Sequence, residues 1–146
     1  MAYQNYWLIL KQNKMKLTPK RKAIIIFLYQ EWKYYTPAEI WEELKKEFSK
    51  LGLPTVYRIL QQLQQIGIVG QLLSHDNQFY YYLCPAPKDD HHHHFICTSC
   101  RKVECLHYCD FSKISETVKR DLGGLAKNHF MQIEGVCADC LKKEKS

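Results

Sequence analysis

Apolar residues in the first half of the chain recur at helical spacing, and turn chemistry cuts them into three segments. Leu17-Thr18-Pro19 offers a threonine cap with proline in the first turn, ahead of Ala23, Ile24, Phe27 and Leu28. Thr36-Pro37-Ala38-Glu39 adds a capping-box glutamate three residues after its threonine, and Ile40, Leu44 and Phe48 then mark one buried face. After a short turn from Ser49 to Gly52, a third helix is expected over residues 54–66, with Val56, Leu60 and Leu63 facing inward and Gly67 as its stop. The period then falls to two. An apolar run ends at Leu73, Ser74-His75-Asp76-Asn77 turns the chain, and Phe79, Tyr81 and Leu83 alternate as one face of a return strand. Helices followed by a hairpin predict a winged helix-turn-helix.

The second half reads differently. Short strands are expected around residues 94–96 and 101–103, and a helix over 111–122 carries Ile114, Val118 and Leu122 at i, i+4 and i+8. Gly123-Gly124 stops that helix, and residues 130–136 form a last strand. So short a segment buries too little apolar surface to stand alone, so it needs a second copy of itself or a structural metal. The expected class is therefore α+β. A winged helix-turn-helix DNA-binding domain spans residues 1–84, and a hinge spans 85–88, where two prolines hold the backbone extended. A small C-terminal α/β domain for dimerisation and metal binding spans 89–146.

Composition adds the kind of partner. The 146 residues carry 21 Lys and Arg against 15 Asp and Glu, a formal charge of +6, which favours acidic partners. No run of about 18 apolar residues and no leader pattern is present, so a cytoplasmic protein without a membrane span is expected. All seven cysteines fall between Cys84 and Cys140, and six of the seven histidines follow Cys84. In a reducing compartment such thiols point to metal rather than to disulfides.

Cys97-Thr98-Ser99-Cys100 and Cys137-Ala138-Asp139-Cys140 are two CxxC pairs, each able to put two thiolates on one ion; together they make a tetrahedral sulfur site for structural zinc. Asp89-Asp90 leads into His91-His92-His93-His94. If this run is extended, His92 and His94 share one face and His91 and His93 the other, so that one tract feeds two sites. Cys84, at the end of the wing strand, either meets His92 and His94 across the joint, a sulfur and imidazole set that suits zinc, or is a small buried hydrophobe. Cys105, His107 and Cys109 are open to a metal site, a redox pair or no role, and His129 to burial or ligation. Neither HExxH nor a deaminase pattern occurs, so a zinc enzyme and a small organic substrate are not expected.

Taken together these residues resemble the ferric-uptake-regulator superfamily of bacterial metal-dependent repressors over nearly the whole length. The match is carried by Lys16-Leu17-Thr18 with Arg21, by Pro54-Thr55-Val56-Tyr57-Arg58, by the histidine run into Cys97-x-x-Cys100, and by Ile133-x-Gly135-Val136-Cys137-x-x-Cys140. The resemblance implies a homodimer that binds double-stranded operator DNA when metal-loaded. It places Tyr57 and Arg58 on the recognition helix beside Thr55, and Lys16 near the minor groove, with Arg21 as a further phosphate contact. It assigns His92 and His94 to a regulatory site, and His91, His93 and His129 to a further one. His75, Asp76 and Cys105 are the candidates for the fourth regulatory ligand, and Asp110 and Glu116 for the carboxylate of the further site.

Three departures point to the zinc-uptake branch. Tyr34 or Tyr35 stands where iron and peroxide sensors of the superfamily usually carry a histidine. Cys105 replaces an acidic residue, and Cys84 lies near the usual position of another. Gly70 falls where some zinc regulators have an aspartate. The expected function is a zinc-sensing repressor of zinc-uptake genes. The alternatives are an iron- or peroxide-sensing relative loaded with Fe2+ or Mn2+, or a constitutive DNA-binding protein whose metals are all structural.

Overall fold

A computed structural model describes residues 3–87 and 91–146. Lys88, which ends the expected hinge, and Asp89 and Asp90, which open the histidine run, lie outside the described residues.

Four helices precede the hairpin: α1 (Gln4–Gln12), α2 (Pro19–Glu31), α3 (Pro37–Leu44) and α4 (Leu53–Gln65), followed by β1 (Val69–Leu73) and β2 (Phe79–Leu83). Side-chain capping sets the starts of α2 and α3. Thr18 Oγ1 accepts from Arg21 N at 3.3 Å, and the Thr36–Glu39 box closes both ways at 3.1 and 2.8 Å. Ile24, Ile25, Leu28, Ile40, Val56, Leu60, Leu63 and Ile68 are all fully buried and knit α2, α3 and α4 into one core. Each such side chain contributes about 1.5–3 kcal/mol. The expected pattern lacks α1, because Tyr3 at its start makes no side-chain capping bond. Its Tyr6, Ile9 and Leu10 nevertheless fall at i, i+3 and i+4 and seal the same core.

The wing strand departs from the expected one-faced alternation. Phe79 is exposed, whereas Tyr80, Tyr81, Tyr82 and Leu83 are all buried. Tyr81 and Leu83 face the helical core, while Tyr80 and Tyr82 join Leu72, Ile96 and Val103 in a second cluster. β2 is thus covered on both faces because the C-terminal half packs against the wing.

That half is a three-stranded sheet in the order β4-β3-β5. Central β3 (His93–Cys97) runs antiparallel to β4 (Val103–Leu106) and parallel to β5 (Gln132–Gly135). α5 (Phe111–Leu122) makes the crossover, and α6 (Ala138–Glu144), another element the apolar pattern did not announce, follows Cys137. β4 begins later than expected because the chain after Cys97 is spent on a tight turn, with Arg101 in the left-handed region at φ 67°.

This turn reaches back to the helices. Tyr34 N donates to Arg101 O at 3.1 Å, and Val103 N to Trp32 O at 3.0 Å. Arg101 Nη1 donates to both carboxylate oxygens of Glu39 at 2.8 and 2.9 Å, with its guanidinium over the Tyr34 and Tyr80 rings. One carboxylate therefore caps α3 and holds the CxxC turn.

Candidate metal centres and nucleic-acid interface

β3 delivers Cys97 at its end, the following turn delivers Cys100, and the start of α6 delivers Cys137 and Cys140. The sulfur of Cys97 lies 3.9 Å from that of Cys140, and Cys100 3.7 Å from Cys137. Two thiolates on one tetrahedral zinc stand about 3.8 Å apart, from zinc–sulfur bonds of about 2.3 Å. The electrostatics agree with a cation between them. Burial would raise the Cys97 thiol, but amide hydrogen bonds from Cys137, Cys100 and Ser99 overcome it and draw it down to about 6. Contact with the Cys137 thiol, then burial and the other two thiols, pushes Cys140 up to about 12. Four thiolates so close cannot ionise together without a positive charge in their midst.

The second cluster straddles the joint. Cys84 leaves β2 buried, its amide bonded to Ile68 O at 2.9 Å and its carbonyl accepting from Tyr6 Oη at 2.9 Å. Its sulfur lies 3.1 Å from His92 Nε2 and 3.7 Å from His94 Nε2, and the two nitrogens are 3.2 Å apart. Two imidazoles on a tetrahedral zinc stand about 3.3 Å apart, from bonds of about 2.0–2.1 Å. Burial, then the neighbouring His92 and His93 imidazoles, hold His94 down to about 4, which keeps its ring neutral and able to donate a lone pair near pH 7. His75, expected as a fourth donor, is elsewhere: it projects from the wing turn with its side chain 95% exposed, 3.3 Å from Glu134. Asp76 is occupied within that turn, accepting from Gln78 N at 3.3 Å. Cys105 pairs with His94 across the β3–β4 ladder, so it shares the sheet face that carries His92 and His94. The ring of His107 is 6.4 Å from that of His92, centre to centre.

The alternate face of the histidine run feeds a third cluster. His129 Nε2 lies 2.9 Å from His93 Nε2, 3.2 Å from His91 Nε2 and 3.1 Å from the sulfur of Cys109, which is itself 2.9 Å from His91 Nε2. Phe111 stacks on His129 and fixes its plane. Burial, then the surrounding imidazoles, lowers the pKa of His93. The carboxylate candidates are absent from this cluster: Asp110 pairs with Lys113 at 3.0 Å, and Glu116 lies on the exposed face of α5. Cys109, for which the sequence offers no unique role, stands in their place. Its only signal in the sequence is its place just before the helix start at Phe111.

The nucleic-acid side lies on α4. Val56, Ile59, Leu60 and Leu63 are buried, which turns Tyr57 and Arg58 to solvent, with Thr55 half-buried beside them. Arg21, Thr55 and Arg58 line one cleft. Lys16 is exposed next to it, but Arg21 is partly committed to structure. Its guanidinium donates to Lys16 O at 2.7 Å and to Gln62 Oε1 at 2.6 Å, tying the loop before α2 onto α4. Among the described residues no helix is long and apolar enough to cross a membrane.

Comparison with known proteins places this geometry. The model of the ferric uptake regulator family matches residues 12–134. The peroxide operon regulator of Bacillus subtilis is 28% identical over 135 residues, covering 92% of this chain and 90% of its own. A zinc uptake regulator solved with zinc and DNA is 22% identical with a TM-score of 0.78, covering 99% of this chain and 95% of that one; at this identity the likeness speaks for the fold. The peroxide-sensing regulator PerR of Streptococcus pyogenes is 27% identical with a TM-score of 0.53, covering 95% and 92%.

Proposed function

The chain belongs to the ferric uptake regulator family of metal-responsive transcriptional regulators, and from that premise we propose that it is a zinc-responsive repressor, acting as a homodimer on the operators of zinc-uptake genes. The observation that carries the reading is the Cys84–His92–His94 cluster, whose donors come from the wing on one side and from the sheet on the other. A thiolate with two imidazoles suits zinc better than a hard, oxygen-seeking ion. Cys105, on the same sheet face, is our choice for the fourth donor in place of His75.

A bound divalent cation would join Cys84 to His92 and His94 and so fix the angle between the two halves. The residues of the chain do the rest. The bonds to Ile68 O and from Tyr6 Oη hold Cys84 so that the thiol follows the wing rigidly. The exposed face of α4 presents Tyr57 for apolar contact with a thymine methyl or a base edge, and Arg58 and Lys16 for phosphates. In a symmetric dimer the two α4 helices would meet successive major grooves about 34–36 Å apart. The partner copy is supported by apolar side chains with no cover in the single chain, among them Leu122 at 79% and Phe130 at 80% exposure. We assign structural zinc to Cys97, Cys100, Cys137 and Cys140, and a further metal to His91, His93, Cys109 and His129.

The test is a duplex selected from random sequence with the zinc-loaded protein. Its affinity should rise about 5- to 150-fold with zinc, the span of ordinary allosteric coupling, and Cys84→Ser should abolish that rise. Full zinc dependence in Cys84→Ser would refute the reading. A second reading, an Fe2+ or Mn2+ site answering to peroxide, is favoured by the names of the sequence relatives. Against it stand the thiols of Cys84 and Cys105. Preferential response to Fe2+ or Mn2+ in the same assay would select it.

A further inference from the structure

The two imidazoles facing Cys84 are not held alike. His94 turns Nε2 to the thiol and Nδ1 to the Tyr82 hydroxyl at 3.2 Å, with the two rings edge-on at 5.0 Å. His92 Nδ1 is buried and finds no partner among the described residues. Tyr82 belongs to β2 and His94 to β3, so their bond crosses the same joint as the metal donors but requires no metal.

The neighbouring strand makes room for this arrangement. Gly70 of β1 is the ladder partner of Tyr82. The tyrosine ring lies across Gly70, where any Cβ would fall closer than 3.0 Å to Cζ, Oη and Cε2 of Tyr82. The glycine therefore answers no special backbone angle; it clears the path by which the phenol reaches over its own hairpin to His94. Gly70, Tyr82, His92 and His94 line one cavity of about 300 Å³.

We propose that Tyr82, admitted by Gly70, is a positioning residue for the metal site of Cys84, His92 and His94, orienting His94 so that Nε2 meets the ion while Nδ1–H donates to the phenol oxygen. Partners of this kind fix ring orientation and raise ligand basicity, and their loss typically weakens metal binding about 10- to 100-fold. The inference rests on reading the cluster as a metal site.

The test uses full-length protein that retains zinc on its four thiolates and carries Cys109→Ser and His129→Ala, which silence the third cluster. Zinc affinity of the second site is measured against a competing chelator, alongside melting of the same protein without the second metal. Tyr82→Phe keeps the ring and removes the hydroxyl. It should weaken the second site about 10-fold or more, leave the thiolate zinc in place, and lower the melting temperature by no more than the loss of one hydrogen bond explains. Gly70→Ala should displace the ring and weaken the site comparably, and the double variant should be no weaker than the worse single one, since both remove one interaction. A Tyr82→Phe affinity within twofold of the wild type overturns the proposal. So does a fall in melting temperature larger than one hydrogen bond explains, which would make Tyr82 an ordinary core residue. If the wild type takes up no second zinc, or Cys84→Ser takes it up equally well, the metal-site reading fails and the proposal with it; a wild-type site that is intact and indifferent to Tyr82 removes the proposal alone.

Discussion

The two halves of the molecule are held together by different chemistry. From α1 to β2 the chain buries a continuous apolar core, and the starts of α2 and α3 are capped by its own side chains. Beyond Cys84, the buried residues among those described are few: His93, Ile96, Cys97, Val103 and Cys137. There the converging groups are thiols and imidazoles, while Ile114, Leu122, Phe130 and Leu141 remain exposed. The first half is held by solvent exclusion, whereas the second sets groups able to hold metal and uncovered apolar side chains in its place.

The largest effect should come from the four thiolates. Cys137→Ser should release the structural zinc and unfold the sheet, since such sites contribute about 10–16 kcal/mol in small zinc domains. Protease protection of residues 3–83 should survive while that of β3, β5 and α6 is lost. Loss of both halves together would break the contrast. Next, Leu122→Asp should turn the dimer into a monomer in sedimentation, with α2 to α4 as protected from hydrogen exchange as before. Cys84→Ser acts only at the joint, and should cost the about 5- to 150-fold zinc response of DNA binding while sparing both folds. The smallest effect belongs to Arg101→Ala. Its pair with Glu39 is more than a third exposed, so it should destabilise the assembled protein by no more than about 1 kcal/mol, and less in high salt.

What the sequence disclosed follows the same division. Caps and apolar period are local, so α2, α3, α4 and the hairpin could be read directly, as could the spacing of the CxxC pairs. The alternation of the histidine run is also local, and the structure does send His92 and His94 to one cluster, His91 and His93 to another. Features set by tertiary packing were hidden. Tyr80 and Tyr82 depart from the one-faced alternation expected of β2 because Ile96 and Val103 cover their side. α1 lacks a cap, and Cys109 joins His129 only after α5 has folded back. His75 was plausible by proximity along the chain, yet the wing turn points it to solvent.

Cobalt offers the most direct measurement. Co2+ is added to protein whose four structural thiolates already hold zinc, and sulfur-to-cobalt charge transfer is recorded together with affinity for the selected duplex. To isolate Cys84 from the thiol at the third cluster, the titration is made in Cys109→Ser. One tight equivalent should produce the thiolate band, DNA affinity should rise in step with it, and adding Cys84→Ser should remove both. A band that survives the loss of Cys84, or DNA affinity that stays flat while the band grows, would contradict the claim that an ion held between wing and sheet controls the reader.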